Sequence, residues 1–239
     1  MQVLLSRWAE EYMKSNPDVS VYTEGGGTED GIRALIDGKV DICAASRPLQ
    51  PNEARLLAEK YRKLGISILV AKDALSIYVN PANPVQNLSI KQIKQIFIGK
   101  ITNWKEVEGN DEPIEVLTRS PNSGTYLYFK EHILEGEFYS STAKTMPTYT
   151  AMVKYISENQ NSIGFGGIVF GQNIIHCQIN GIAPIDENVR NDTYPIIRYL
   201  YLYTIDTPRG LIKNFIDWIL KDGQRIVKET GLIPLWEIP

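Results

Sequence analysis

Three times this chain passes from a run of apolar and β-branched residues, through a loop of small hydroxylated residues, into a helical pattern. That recurrence limits the fold more than any other feature. The fullest instance is Arg119-Ser120-Pro121-Asn122-Ser123-Gly124-Thr125, which joins the strand-like run Pro113 to Thr118 to a helix-like run from Tyr126 to Ile133. A second is Glu24-Gly25-Gly26-Gly27-Thr28-Glu29-Asp30-Gly31, between a short strand Val19 to Thr23 and a helix Ile32 to Ile36. The third is Ser46-Arg47-Pro48, at the carboxyl end of a strand Val40 to Ala45. Open α/β sheets place ligands at the carboxyl ends of their strands. The first N–H groups of a helix have no partner within it and carry partial positive charge, so an anion is the partner they favour. Ser123 and Thr125 add hydroxyl donors, Gly124 lets the backbone approach a ligand, and Arg119 offers a planar fork for two oxygens of one oxyanion. Taken alone, the first heptad fits equally well a plain helix cap by Asn122 or Ser123, with Arg119 a solvated charge.

At 239 residues the chain is long enough for one large domain or two lobes. Its 43% hydrophobic and 22% charged residues belong to an ordinary soluble globular protein, and no apolar run approaches the roughly 18 residues of a membrane span. A net charge of −3 and a pI near 5.6 exclude a non-specific nucleic-acid binder, which needs a basic face. An anion bound by such a chain must be held by local donors. The two cysteines, Cys43 and Cys177, lie in separate apolar runs and read as buried free thiols, with no metal-type spacing. Met1 to Trp8 lacks the basic start and long apolar stretch of a secretion signal. The chain is then either cytoplasmic or begins downstream of a processed end, and the order of its elements favours the second.

The chain opens on a helix, Gln2 to Ser15, stopped by Asn16-Pro17. The strands from Val40, from Ile66 to Ala71 and from Ala74 to Val79, with a helix Asn52 to Leu64, predict a βαβαβ unit with nearly parallel strands. The chain crosses into a second lobe near Asp73 to Val79. That lobe carries helices Ser89 to Ile98 and Tyr149 to Glu158, the strand Ile114 to Thr118, the run Gly164-Phe165-Gly166-Gly167, and irregular strands to Ile185. The aromatic run Tyr194 to Tyr203 returns the chain to the first lobe, which two helices close, Gly210 to Leu220 and Gly223 to Glu229. Catalytic signals are weak. His132 and His176 sit in no metal or nucleophile motif, no carboxylate pair is set by spacing, and Tyr126 and Tyr128 read as core or rim. Glu29 and Asp30 read as favouring a helix start.

The segments Gly25-Gly26-Gly27-Thr28, Val40-Asp41-Ile42 through Ala45-Ser46-Arg47-Pro48-Leu49, Arg119 with Ser123-Gly124-Thr125, Ile163-Gly164-Phe165 and Thr230-Gly231-Leu232-Ile233-Pro234 resemble, in order and over nearly the whole chain, the phosphate-binding proteins of bacterial phosphate ABC transporters. The resemblance implies a two-lobed type II periplasmic-binding-protein fold, each lobe a mixed sheet flanked by helices, closing on one orthophosphate in its cleft. Lobe I is expected at 1–75 and 199–239, and lobe II at 76–198. The implied ligand groups are Thr28, Ser46 and Arg47 from the first lobe and Arg119, Ser123, Gly124 and Thr125 from the second. The implied partners are inorganic phosphate and a membrane permease, with no cofactor, no metal and no nucleic acid. The implied protein is a non-catalytic monomer, periplasmic or extracellular, with a lipid anchor as one possible attachment. Two features depart from the family pattern. Relatives begin with a strand and a donor loop ahead of the first helix, so the first strand of lobe I is expected to be missing here. In some relatives an Asp in the third loop accepts the phosphate proton, and here Ser46 stands in its place. The alternatives are a receptor for another tetrahedral oxyanion such as sulfate, and a phosphate-ester hydrolase.

Overall fold

A computed structural model describes residues 1–121, 123–171 and 173–236. The chain divides into two compact units, Met1–Asp73 with Arg198–Pro239, and Ala74–Ile197. In chain order the first unit holds α1 (Gln2–Ser15), α2 (Thr28–Asp37), β1 (Cys43–Ala45), α3 (Pro51–Tyr61) and the start of β2 (Ile66–Val79). The second holds β3 (Asn87–Leu88), α4 (Ile90–Phe97), a 3-10 turn at Trp104–Val107, β4 (Glu115–Arg119), α5 (Gly124–His132), β5 (Lys144–Met146) and α6 (Tyr149–Glu158). There follow β6 (Ser162–Gly167), β7 (Ile175–His176), β8 (Gln178–Ile179) and α7 (Asp186–Arg190). The chain returns through β9 (Ile197–Thr204) to α8 (Gly210–Leu220) and α9 (Gln224–Glu229).

The first unit is built on the apolar stripe of α1. Leu4, Trp8 and Tyr12 recur every fourth residue, so they line one face of the helix. They bury against Val70 and Ala71 of β2, Leu200 and Leu202 of β9, and Phe215, Ile216 and Ile219 of α8. Trp8 is fully buried, and its indole N–H has a partner in the Gly223 carbonyl at 2.8 Å, which offsets the cost of burying that donor. A second cluster joins Ile32 and Leu35 of α2 to Cys43 and Ala45 of β1 and Tyr203 of β9, and this contact fixes where α2 begins relative to the end of β1.

Three expectations for this unit need correction. Val19 to Thr23 forms no strand. Val19 and Val21 do turn inward against the core while Ser20 and Tyr22 face out, but no neighbouring strand offers the segment a ladder among the described residues. The strand ending at Ala45 pairs antiparallel with β9, with Cys43 opposite Tyr203, so the strands of this unit are not a parallel set. The runs Ile66 to Ala71 and Ala74 to Val79 are one continuous strand. Its interrupting charges are accommodated in place: Asp73 pairs with Arg198, and the Lys72 ammonium lies 5.5 Å from the centre of the Tyr199 ring.

In the second unit β4 lies between β5 and β6 and runs parallel to both, with Arg119 opposite Met146 and Val116 opposite Ile163. β6 runs antiparallel to β2. Helix α6 lies close against β6 because Gly164 and Gly166 present no side chain to it. A Cβ at Gly164 would stand 2.7 Å from the Met152 sulfur, and one at Gly166 would stand 2.9 Å from the Tyr149 ring. An aromatic layer, with Phe129 stacked on Phe165 at 4.1 Å and Phe97 edge-on to both, carries α5.

His176 gives the second unit a pH-dependent stability. Its ring stands edge-on to Tyr78 at 5.1 Å, and burial holds the imidazole below its ordinary value, against the pull of a backbone hydrogen bond at Phe170. The unfolded chain therefore takes up the proton more readily. Stability is greatest above the ordinary imidazole value of about 6.5 and falls as the pH drops through it. Thermal melts at about pH 7.5 and about pH 5.5 should show a loss on acidification that is smaller in His176→Phe, which keeps a ring against Tyr78.

Candidate functional site

Arg119 is the last residue of β4, and the buried run Val116, Leu117 and Thr118 anchors the strand beneath it. The turn that follows is closed by the Ser123 N–H donating to the Ser120 carbonyl at 2.8 Å, with Pro121 in its first half. Asn122, the other candidate cap, lies outside the described residues. Ser123 precedes α5 in an extended conformation, and its hydroxyl makes no capping bond. Among the described residues the first backbone bond of α5 runs from Leu127 N–H to Ser123 O at 3.1 Å, and the N–H groups of Gly124, Thr125 and Tyr126 precede it in the chain. No acidic residue sits in this first turn. Among the described residues, apart from its chain neighbours and the backbone of its own helix, nothing lies within 4 Å of where a Gly124 side chain would begin. The result is an open, positively biased helix start.

The Arg119 guanidinium is held from behind. Its Nε donates to the Met146 carbonyl at 3.1 Å and its Nη2 to the Pro147 carbonyl at 3.0 Å. Its plane lies 4.3 Å over the Tyr149 ring, and Nη1 has no hydrogen-bond partner among the described residues. Tyr149 in turn donates its hydroxyl to Thr125 Oγ1. None of these partners carries a negative charge, so the arginine keeps its own.

In the first unit Thr28 and Ser46 meet. The Ser46 N–H donates to Thr28 Oγ1 at 3.2 Å, and the two hydroxyl oxygens are 3.3 Å apart. The start of α2 differs from that of α5 because Glu29 and Asp30 occupy its first turn, and Asp30 accepts the Gly27 N–H at 3.3 Å. This helix supplies its own anion, as the sequence led one to expect. Arg47 forms a bidentate pair with Glu53, both bonds 2.8 Å, and donates to the Pro48 carbonyl at 3.0 Å. Glu53 is buried and also accepts the Gln50 N–H at 2.7 Å, closing the start of α3. The Arg47 bonds, against the opposing effect of burial, hold the Glu53 carboxyl below its usual range. Arg47 is thus a neutralised strut beside the Thr28–Ser46 pair.

The remaining sequence candidates have structural partners. Tyr126 stacks on Tyr139 at 4.5 Å, and the exposed His132 ring lies 4.3 Å from that of Tyr128. Cys43 and Cys177 are buried free thiols whose pKa burial pushes up to about 12. No group of three or more His, Cys, Asp or Glu side chains among the described residues could hold a metal ion, and no helix among them is long and apolar enough to cross a membrane. Two residues at these loops escaped the sequence reading. Glu53, three positions after Gln50 and just inside a proline-started helix, is a capping pattern that could have been read. No pattern announces Tyr149.

Hydroxyl and arginine donors in the loops before helices are the groups a binding protein for a small anion would present. The PBP superfamily domain matches residues 1–222, and the chain belongs to that superfamily, with its type II periplasmic-binding-protein fold. It is similar to Phosphate-binding protein PstS of Bacillus subtilis (strain 168), at 29% identity over 100% of this chain and 79% of the relative. Among solved structures it is similar to an ABC-type phosphate transport receptor from Vibrio cholerae, with a TM-score of 0.88 and 29% identity over 100% of this chain and 96% of that one. It is also similar to a protein from Clostridium perfringens, assigned as a phosphate ABC transporter substrate-binding protein and solved with bound phosphate. That match has a TM-score of 0.73 and 30% identity over 98% of this chain and 96% of that one.

Removing Arg47 strands a buried carboxylate. Because Arg47 is itself about a quarter exposed, Arg47→Met should cost about 2 kcal/mol of stability rather than the full penalty of a buried pair. Adding Glu53→Gln should recover part of that loss in urea denaturation.

Proposed function

We propose that this protein is the extracytoplasmic receptor of a bacterial phosphate transporter, binding inorganic phosphate without turnover and delivering it to a membrane permease as a monomer. The observation that carries the reading is the β4–α5 loop, where a still-charged Arg119 and a helix start free of acidic residues face open space at Gly124. The proposed ligands there are the Arg119 guanidinium, the Ser123 and Thr125 hydroxyls and the Gly124 N–H. Thr28 and Ser46 supply further hydroxyls. Such a pair can donate or accept, which suits an anion that keeps a proton near neutral pH. Arg47, committed to Glu53, contributes least. The phosphate receptors among its relatives support the same ligand.

Calorimetry on ligand-stripped protein with phosphate, sulfate and arsenate tests the reading. Phosphate should bind and sulfate should not compete. Equal sulfate affinity would make the protein a general receptor for tetrahedral oxyanions, and Arg119-dependent hydrolysis of an aryl phosphate would make it a hydrolase. Arg119→Ala should weaken phosphate binding by about 1.5 to 3 kcal/mol, as loss of a charge-assisted donor, against about 1 kcal/mol for Thr28→Ala. Gly124→Ala should also weaken binding while leaving the melting temperature unchanged or raised, because its methyl group meets the ligand and not the protein.

A further inference from the structure

We infer that Tyr149 is a positioning residue for the anion site, acting on two ligand groups at once. The inference rests on the phosphate reading above. Tyr149 begins α6 directly after Met146, Pro147 and Thr148. The carbonyls of Met146 and Pro147 hold Arg119, and the Thr148 hydroxyl caps α6 by accepting the Ala151 N–H at 3.0 Å. The Tyr149 ring is therefore fixed at the point where the Arg119 plane comes to rest, 4.3 Å away. Phe170 stacks on the ring at 5.0 Å and 18°, and the missing side chain at Gly166 leaves the room it needs.

The hydroxyl of the same side chain acts on the second group. Thr125 is buried, so its hydroxyl needs hydrogen-bond partners within the protein or a ligand. By donating to Thr125 Oγ1, Tyr149 occupies an acceptor position on that oxygen and leaves the threonine's own proton to be donated elsewhere. Thr125 is thereby set as a donor beside the N–H groups at the start of α5. One residue thus orients the charged fork of Arg119 and the polarity of a hydroxyl six residues further along the chain. Neither of its atoms need touch the ligand.

The test is a set of variants read by phosphate calorimetry, with melting temperatures measured alongside. Tyr149→Phe keeps the ring under Arg119 and removes only the hydroxyl bond, so binding should weaken about fivefold, the worth of one neutral hydrogen bond. Tyr149→Leu also removes the ring and should weaken binding about threefold more. In a Thr125→Val background Tyr149→Phe should have almost no further effect, because the group it acts through is gone. Independent losses that multiply in the double variant would overturn the inference, as would a Tyr149→Phe protein that binds phosphate like the wild type. Wild-type protein that takes up no phosphate at all would overturn the underlying reading, and this inference with it.

Discussion

The second unit depends on keeping an arginine charged while fixing its position. A carboxylate partner would fix it more strongly, but it would also cancel the charge that makes the residue useful to an anion. Arg119 is held by two backbone carbonyls and an aromatic face, which are neutral and together orient its plane. Arg47 shows the other solution in the same molecule. Glu53 takes both arms of its fork, and the same carboxylate closes the start of α3 while the guanidinium also reaches the Pro48 carbonyl. Two arginines, one ending β4 and one in the loop that follows β1, are thus left in opposite electrostatic states, decided by whether the neighbour that fixes them is charged.

The neutral clamp exists because of strand register. β4 runs parallel to β5 with Arg119 opposite Met146, which brings the carbonyls of Met146 and Pro147 within reach of the guanidinium. A slip of one residue would turn the arginine to the other face of the sheet. The other side of β4 is set by β6, whose glycines let α6 come down close enough for Tyr149 to reach Arg119 and Thr125. The loop chemistry is thus continuous with the packing of the sheet beneath it.

What could be read from the sequence divides along physical lines. The stripe Leu4, Trp8 and Tyr12 announces α1 because a helix repeats locally, and two of the three polar loops, at Ser46 and at Ser120, do follow strands. Arg119, Ser123, Gly124 and Thr125 could be read as donors from their own loop, and the family resemblance added Thr28, Ser46 and Arg47. Val19 to Thr23 misled because alternation predicts which side chains turn inward but not whether a neighbouring strand exists. The strand Ile66 to Val79 was cut in two by Lys72 and Asp73, charges whose partners Tyr199 and Arg198 lie more than a hundred residues away. The pairing of Arg47 with Glu53 was not legible either, since it is a matter of orientation and not of composition. Tyr149 was invisible because its role is defined by three contacts, none of them near it in sequence.

Gly124 and Gly166 impose opposite conditions on change. At Gly166 a methyl group collides with the interior, so the position is bound to the integrity of the fold. At Gly124 the same methyl group would meet nothing among the described residues beyond its own helix and chain neighbours, so it would chiefly alter what can approach from outside. A lineage carrying this loop could therefore change what this helix start admits in single steps without passing through an unstable ancestor.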